Sequence, residues 1–231
     1  MHPAHPRAVL LAMLAVCPLI SAKYASAAIV ISEVDAVGSS STSAADWFEL
    51  TNTGSSAVTI AGWKMDDNSA SFGSAVTLSG VTSIAAGQSV VFIEDTGSTD
   101  ATVNANFKSA WFGANVPASL VLGNYGGSGV GLSSGGDAVN IFDAGGNLVT
   151  GVSFGESTLA GGSFDNTAGL SNKTLSQFSV AGVNGAFNSR TSGEIGSPGI
   201  QAAPVPLPAA GLMFLGGLGL LGPFGGRRRT R

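Results

Sequence analysis

The stretch ADWFELTNTGSSAVTIAGWKMDDNS (residues 45–69) contains a strand pattern, a turn signal and a break in the apolar spacing. Polar and apolar residues alternate over residues 47–51, so that Phe48 and Leu50 fall on one face of a predicted strand. The polar run at residues 52–54 then ends in Gly, which is typical of a turn. The stretch therefore predicts a strand followed by a tight reversal.

A break in the apolar spacing follows within the same stretch. Val58 and Ile60 are two residues apart, but the next apolar position is Trp63. A strand repeats every two residues, so the three-residue step predicts a bulge or bend at residues 61–62.

Further strands are predicted on both sides of this stretch. The chain has 231 residues, 34 of them Gly, and only 10% are charged. Residues 29–34, 89–94, 138–143 and 148–154 are short apolar runs, and the last two flank the turn sequence AGGN. Only residues 107–112 hint at a helical period. Short strands separated by turns predict an all-β fold, a β-sandwich.

The same stretch belongs to a longer pattern that resembles the lamin-tail domain (LTD) family. ISEVDAVG (31–38), SIAAGQSVVFIED (83–95), GDAVNIFDAGGNLVTGVSFG (136–155) and EIGSPG (194–199) complete it. The matching residues are Trp47, Glu49, Leu50, Asn52, Gly62, Trp63, Asp66, Gly136, Asp137, Val139, Asp143, Gly146, Val149, Ser197, Pro198 and Gly199. The resemblance implies an Ig-like β-sandwich with a binding or scaffold role and no particular reaction. Residues 96–136 depart from it, so we expect extra loops or an extra hairpin there.

The N-terminus has the pattern of a secretory signal peptide, residues 1–27. Arg7 precedes a 13-residue apolar run, residues 8–20, which is too short to span a bilayer. Ala25 and Ala27 fit the small-residue cleavage pattern and give a mature start at Ala28, and cleavage one residue later fits nearly as well.

The C-terminus, residues 202–231, combines an uncharged span with a basic end. Residues 207–226 carry no charge over 20 positions, about 30 Å as a helix. The sequence then ends in a cluster of arginines: Arg227, Arg228, Arg229 and Arg231. By the positive-inside rule this cluster predicts insertion of the span into the inner membrane, with its basic end in the cytoplasm.

This C-terminal pattern closely resembles the PEP-CTERM sorting signal of Gram-negative bacteria. The resemblance rests on an ordered set of features: Val205, Pro206, Leu207, Pro208, the Gly-rich apolar span and the arginines. The usual tripeptide is Pro-Glu-Pro, so Leu207 departs from it. The resemblance implies cleavage by an exosortase, which makes the membrane insertion transient. It also implies release of the body or its transfer to the cell surface, often in species that produce exopolysaccharide. A plain permanent membrane anchor is the alternative reading.

Removal of both ends leaves a body, residues 28–201, that contains neither Cys nor His. Cys17, His2 and His5 are the chain's only Cys and His residues and leave with the signal peptide. This excludes disulfides, Cys/His zinc sites and Ser-His-Asp triads from the mature body. The body keeps four basic residues against all fourteen acidic ones, a net charge of −10, which argues against nucleic acid as a partner.

Few residues of the body suggest a site. Asp66, Asp67 and Asn68 offer oxygen ligands, with Glu94 and Asp95 as further candidates, so Ca²⁺ is the one cofactor left open. No EF-hand spacing is present, and turn formation is the favoured interpretation. Trp47 and Trp63 fit a buried core better than a sugar-stacking platform. The acidic residues look like solvating groups spread along turns, and no catalytic residue is predicted.

Together these patterns predict an exported structural or adhesive protein that is not an enzyme. Its expected partners are the secretion translocon, signal peptidase, an exosortase and exopolysaccharide, and its expected location is the cell surface or extracellular matrix after an inner-membrane-tethered stage. We expect polysaccharide contacts through polar and aromatic groups between residues 96 and 136. The alternative is a carbohydrate-active or calcium-dependent surface enzyme or binding module that uses a carboxylate pair.

Overall fold

The fold is mostly β, with two five-stranded sheets and one helix among the residues that the structure describes. The structure is a computed structural model, and it describes residues 29–38, 45–95, 97–157, 161–166 and 172–200. In chain order these form β1 (Ile29–Asp35), β2 (Trp47–Asn52), β3 (Val58–Thr59), β4 (Lys64–Asp66), β5 (Val76–Thr77), β6 (Ser83–Ile84), β7 (Ser89–Asp95), α1 (Asp100–Phe112), β8 (Leu122–Gly126), β9 (Asp137–Phe142), β10 (Leu148–Phe154), β11 (Phe164–Asp165), β12 (Thr174–Leu175), β13 (Phe187–Asn188) and β14 (Ile195–Gly196).

The two sheets have simple neighbour orders. The first sheet runs β11-β1-β2-β7-β8 and the second runs β12-β10-β9-β4-β5. Pairing is antiparallel except between β7 and β8 and between β10 and β12, which are parallel. Two small sheets, β3-β6 and β13-β14, lie outside these layers. The strand-and-turn pattern of the sequence therefore gives the predicted β-sandwich.

The inner faces of the two sheets meet in one apolar core. Phe48, Leu50 and Phe92 from the first sheet share this cluster with Met65 and Ile141 from the second. The rings of Phe48 and Phe92 stack with their centroids 5.5 Å apart. The alternation in residues 47–51 thus aims Phe48 and Leu50 inward, as predicted.

The bend at residues 61–62 and the hairpin at AGGN that the sequence predicts are both present. Residues 61–62 form a turn between β3 and β4, and Gly62 has a φ of +76°, which explains why Gly stands there. The AGGN sequence joins β9 to β10 as a hairpin, in which Asp143 accepts bonds from the backbone N–H groups of Gly145 and Asn147 at 2.9 Å.

The expectation of loops or an extra hairpin in residues 96–136 is incomplete, because the loops there accompany a helix and a strand. This segment contains helix α1 and then β8, which pairs parallel to β7. Residues 100–112 contain no Gly or Pro, and the Thr99 hydroxyl caps the first turn by accepting a bond from Thr102 N. The all-β prediction therefore fails at this one helix, because the Gly-rich composition of the whole segment hid a Gly-free stretch within it.

Helix α1 covers the outer face of the first sheet with an aromatic cluster. Trp47 of β2 meets Trp111 edge to face, with ring centroids 5.6 Å apart, and Phe107 in the same manner at 6.0 Å. Phe187 of β13 packs against the other side of Trp111 at 5.8 Å. The outer face is therefore buried as well as the inner one.

Candidate functional site

Two glutamates stand opposite each other on the outer face of the first sheet, beside the aromatic cluster. Glu33 of β1 and Glu49 of β2 are Cα partners in the antiparallel ladder, and their side chains are 0% and 2% exposed. The register shifts between Ile31 and Glu33, and this bulge places both Ser32 and Glu33 on the outer face. Regular alternation from Ile31 would have aimed Glu33 into the apolar core.

Hydroxyl and backbone donors surround Glu33. Its Oε1 accepts hydrogen bonds from Ser163 Oγ and, at 2.8 Å, from the backbone N–H of Ser197. Its Oε2 accepts from Ser197 Oγ at 2.9 Å. Ser179 Oγ donates a longer bond of 3.3 Å to Oε1. Glu33 thus joins β1 to the segments around residues 163, 179 and 197.

Glu49, on the neighbouring strand β2, also accepts hydrogen bonds from a serine hydroxyl and a backbone N–H. Its Oε1 accepts from Ser32 Oγ at 2.6 Å, and its Oε2 accepts from the backbone N–H of Gly199 at 2.6 Å. Thr51 Oγ1 extends the network by bonding Ser32 Oγ at 2.8 Å and Ser89 Oγ at 2.6 Å. Residues 195–200, which we call the clasp, therefore close over both glutamates.

Burial raises the pKa of both glutamates. Desolvation is the main cause of the shift of the Glu33 pKa to about 7, partly offset by its bonds from Ser163 and Ser197. The pKa of Glu49 rises to about 8 because of burial and then the nearby charge of Glu33. Because both carboxyl groups are shut off from water and the charge of Glu33 acts on Glu49, ionisation of the second group is opposed.

More buried carboxyl groups lie at the same end of the sheet. Burial and the charge of Glu194 raise the pKa of Asp35 well above its ordinary range, with smaller contributions from Asp46 and Glu33. Asp35 Oδ2, Glu194 Oε1 and Trp47 Nε1 are buried and find no hydrogen-bond partner among the described residues. The interpretation of the acidic residues as solvating groups is therefore wrong for much of this face.

The three residues proposed for Ca²⁺ order a loop instead. The Asp66 carboxylate accepts bonds from Ser69 Oγ at 2.6 Å, from Ser71 N at 2.7 Å and from Ser74 Oγ at 3.0 Å. Asp67 Oδ1 accepts from Ser69 N at 3.0 Å, and Asn68 N donates to Asp137 at 3.1 Å. These contacts match the turn-forming role that the sequence favoured.

The further Ca²⁺ candidates lie on a different strand. Glu94 and Asp95 end β7 of the first sheet, whereas Asp66 ends β4 of the second. Asp95 Oδ1 accepts from Gly97 N at 2.8 Å. Within the described ranges, no three acidic, His or Cys side chains come together as metal ligands.

Trp47 and Trp63 are 0% and 8% exposed, so neither forms a sugar-stacking platform on the surface. The aromatic groups expected to contact polysaccharide from residues 96–136 are also inside. This set is Phe107, Trp111, Phe112 and Tyr125, none more than 6% exposed. The expectation of an aromatic contact surface in this segment is wrong, because those side chains pack onto the first sheet and into the core.

Two open grooves flank β10. One, of about 350 Å³, crosses β9 and β10 between Asn140, Leu148 and Lys173. The other, of about 260 Å³, lies between β10 and the start of β1, with Asn166 and Asn172 on its wall. Amide groups, a lysine and an exposed leucine make this surface the most suitable of the described ones for weak polar contacts.

The predicted processing sites lie outside the described residues. These are the cleavage residues Ala25, Ala27 and Ala28, and the sorting residues Val205, Pro206, Leu207, Pro208, Arg227, Arg228, Arg229 and Arg231. Among the described helices, none has the length and apolar character needed to cross a membrane.

Comparison with known protein families identifies the family of the domain. No curated protein was found to match the chain. The family model for the Lamin Tail Domain matches residues 22–156, more than half of the sequence, and the β-sandwich is the Ig-like fold of that family. The described strands continue beyond the match to Gly196, and these later strands supply the cover over Glu33 and Glu49. The chain belongs to the Lamin Tail Domain family.

Proposed function

We propose that this protein is an exported structural or adhesive β-sandwich, processed by an exosortase and held at the cell surface in contact with exopolysaccharide. The observation that carries the proposal is the order of its parts. An N-terminal signal pattern precedes the sandwich, and the tail of residues 205–231 follows almost directly on the clasp. The PEP-CTERM resemblance of that tail supplies the exosortase and the polysaccharide link.

The burial and hydrogen bonding of the carboxyl groups support a non-catalytic role. Glycosidases need two carboxyl groups that face a substrate across a cleft. Glu33 and Glu49 are paired directly across strands β1 and β2. Their side chains, however, are at most 2% exposed and are hydrogen-bonded to serines and to the clasp. A sugar cannot reach them without displacing the clasp.

The grooves beside β10 are the surface through which we expect polysaccharide to be contacted. Asn140, Asn172 and Lys173 offer hydrogen-bond donors, and Leu148 is 57% exposed beside them. With a net charge of −10 on the body, such contacts suit neutral sugars better than anionic ones, so we expect weak binding.

The test is to express the full-length chain and a chain truncated before Val205, and to assay cells, matrix and medium separately. We expect truncation to abolish surface retention and to leave secretion intact. Intact mass of the mature protein should show a start at Ala28 or Ile29 and loss of the arginines. A truncated chain that stays on cells as fully as the full-length one would show that the tail is not the localising element.

A further inference from the structure

The glutamate pair and the segment that covers it form a unit that neither export nor adhesion requires. The clasp donates both N–H groups of Ser197 and Gly199 to carboxylates of different strands. Its Ser197 hydroxyl adds a third bond, to Glu33. Further contacts hold the clasp: β14 pairs with β13, Ile195 bonds to residues 161 and 163, and Leu120 and Gly185 lie close to Gly199 and Ile200.

The pair is closed to solvent while the clasp is in place, since Glu33 and Glu49 are 0% and 2% exposed. A Cβ on Gly196 would lie 2.7 Å from Glu33 Oε1 and 2.9 Å from Trp111 Cη2. Glycine is therefore required there by close approach, with the glutamate on one side and the aromatic cluster on the other. The carboxyl groups can be hydrated only if the clasp moves.

The charged groups that face the pair are all acidic in the described part of the chain. The charge of Asp165 on β11 raises the pKa of Glu33, and the charge of Glu33 raises the pKa values of Asp35 and Glu49. Helix α1 presents Trp111 to this site, and the clasp is preceded by Glu194. Hydroxyl and N–H donors can stabilise one negative charge, but a second, with no cation to balance it, is strongly opposed.

We propose that residues 195–200 are a proton-dependent clasp, which stays closed while Glu33 and Glu49 together hold at least one proton and opens when both are ionised. The raised pKa values of both groups place that transition on the alkaline side of neutrality. Opening frees the segment that directly precedes residues 201–231 in the sequence. The inference does not depend on the proposed function, since it concerns only the contacts of the clasp.

The test is amide hydrogen exchange of the full-length chain between pH 6 and pH 10, with each rate corrected for the intrinsic pH dependence of exchange. Because opening releases protons that the closed form holds up to about pH 8, the opening constant of the Ser197 and Gly199 amides should rise about tenfold or more per pH unit from pH 6 to about pH 8 and then level off. Amides of the inner core, such as those of Val90 and Phe92, should not follow.

Glu49→Gln removes one of the two charges and keeps the side chain's shape and an acceptor for Gly199 N. We expect its clasp amides to stay protected at pH 10. Glu156→Gln, an exposed carboxylate outside the site, is the matched control and should behave like the unmodified chain. A clasp whose corrected protection does not change with pH, or changes equally in Glu49→Gln, would overturn the proposal.

Carbon-13 carboxyl shifts of the unmodified chain provide a second measurement that needs no variant. They should show two glutamates titrating well above the ordinary range, with clasp opening following the later one. Ordinary titration of every glutamate below pH 5 would overturn the proposal equally.

Discussion

The inner and outer faces of β1 and β2 come from the same two strands and are both closed to solvent, but different chemistry closes them. On the inner face, Ile31, Phe48 and Leu50 meet the apolar side chains of the second sheet. On the outer face, Trp47 lies under α1, and Glu33 and Glu49 lie under the clasp. Apolar packing closes the inner face, whereas burial of two carboxyl groups with raised pKa values accompanies the closing of the outer face.

The largest effects come from removing an aromatic ring on either face. Trp47→Ala and Phe48→Ala each delete a side chain that is 0% exposed, so each should lower the free energy of unfolding by about 3–5 kcal/mol. Chemical denaturation of the full-length chain measures both. Leu148→Ala, at an exposed site, should stay within about 0.5 kcal/mol. A Trp47→Ala loss under about 1 kcal/mol would show that α1 does not pack on the outer face.

A smaller effect should follow from crowding the clasp. Gly196→Ala places a methyl group against Glu33 and Trp111, and overpacking of this kind costs about 1–3 kcal/mol. Gly155→Ala is the control, because nothing lies within 4 Å of its added Cβ. Equal stability of the two variants in thermal unfolding would mean that the clasp does not close on the pair.

Loss of the Asp66 carboxylate should lower the free energy of unfolding by less than crowding of the clasp does. Asp66→Asn replaces a carboxylate that accepts three bonds with a group that has one acceptor oxygen, and we expect a loss of about 1–2 kcal/mol. Ser74→Ala removes only one donor and should cost less than Asp66→Asn. A larger loss in Ser74→Ala would contradict this account of the loop.

The smallest effect on stability should come from removing Ca²⁺ with a chelator. The Asp66, Asp67 and Asn68 groups are engaged by backbone and serine donors, so chelator should hardly shift the melting temperature. A site with Ca²⁺ at 100 times its Kd would contribute about 2.7 kcal/mol. A reversible drop of that size on chelation would show that the loop binds the ion.

The sequence predicts which side chains pack on the inner face, but it does not predict what covers the outer face. Alternation alone aims Phe48 and Leu50 inward, and glycines mark the turns at Gly62 and Gly146. It cannot reveal that α1 and the clasp return to cover the other side, because those contacts join residues up to 164 positions apart.

The candidate site was hidden for a further reason. The bulge after Ile31 places Glu33 beside Glu49, and regular alternation would separate them. The one available signal was Glu49 itself, a carboxylate between Phe48 and Leu50 in a strand whose six residues are all buried. A buried carboxylate implies a specific partner, but the sequence does not name it.

The most direct test of the central claim, that Glu33 and Glu49 are buried together in protonated form, is the pH dependence of global stability. Both pKa values are raised from 4.5 in the unfolded chain to about 7 and about 8. Their contribution is therefore fully present below about pH 4.5 and is lost as the pH rises towards 8.

Free energies of unfolding should be measured from pH 5 to pH 7 for the full-length chain and for Glu49→Gln. Each proton that the folded state holds and the unfolded state has lost gives a slope of about 1.4 kcal/mol per pH unit. We predict that the stability of the unmodified chain falls more steeply than that of Glu49→Gln, by about that amount. Parallel curves, or stability that rises with pH in both proteins, would contradict the account.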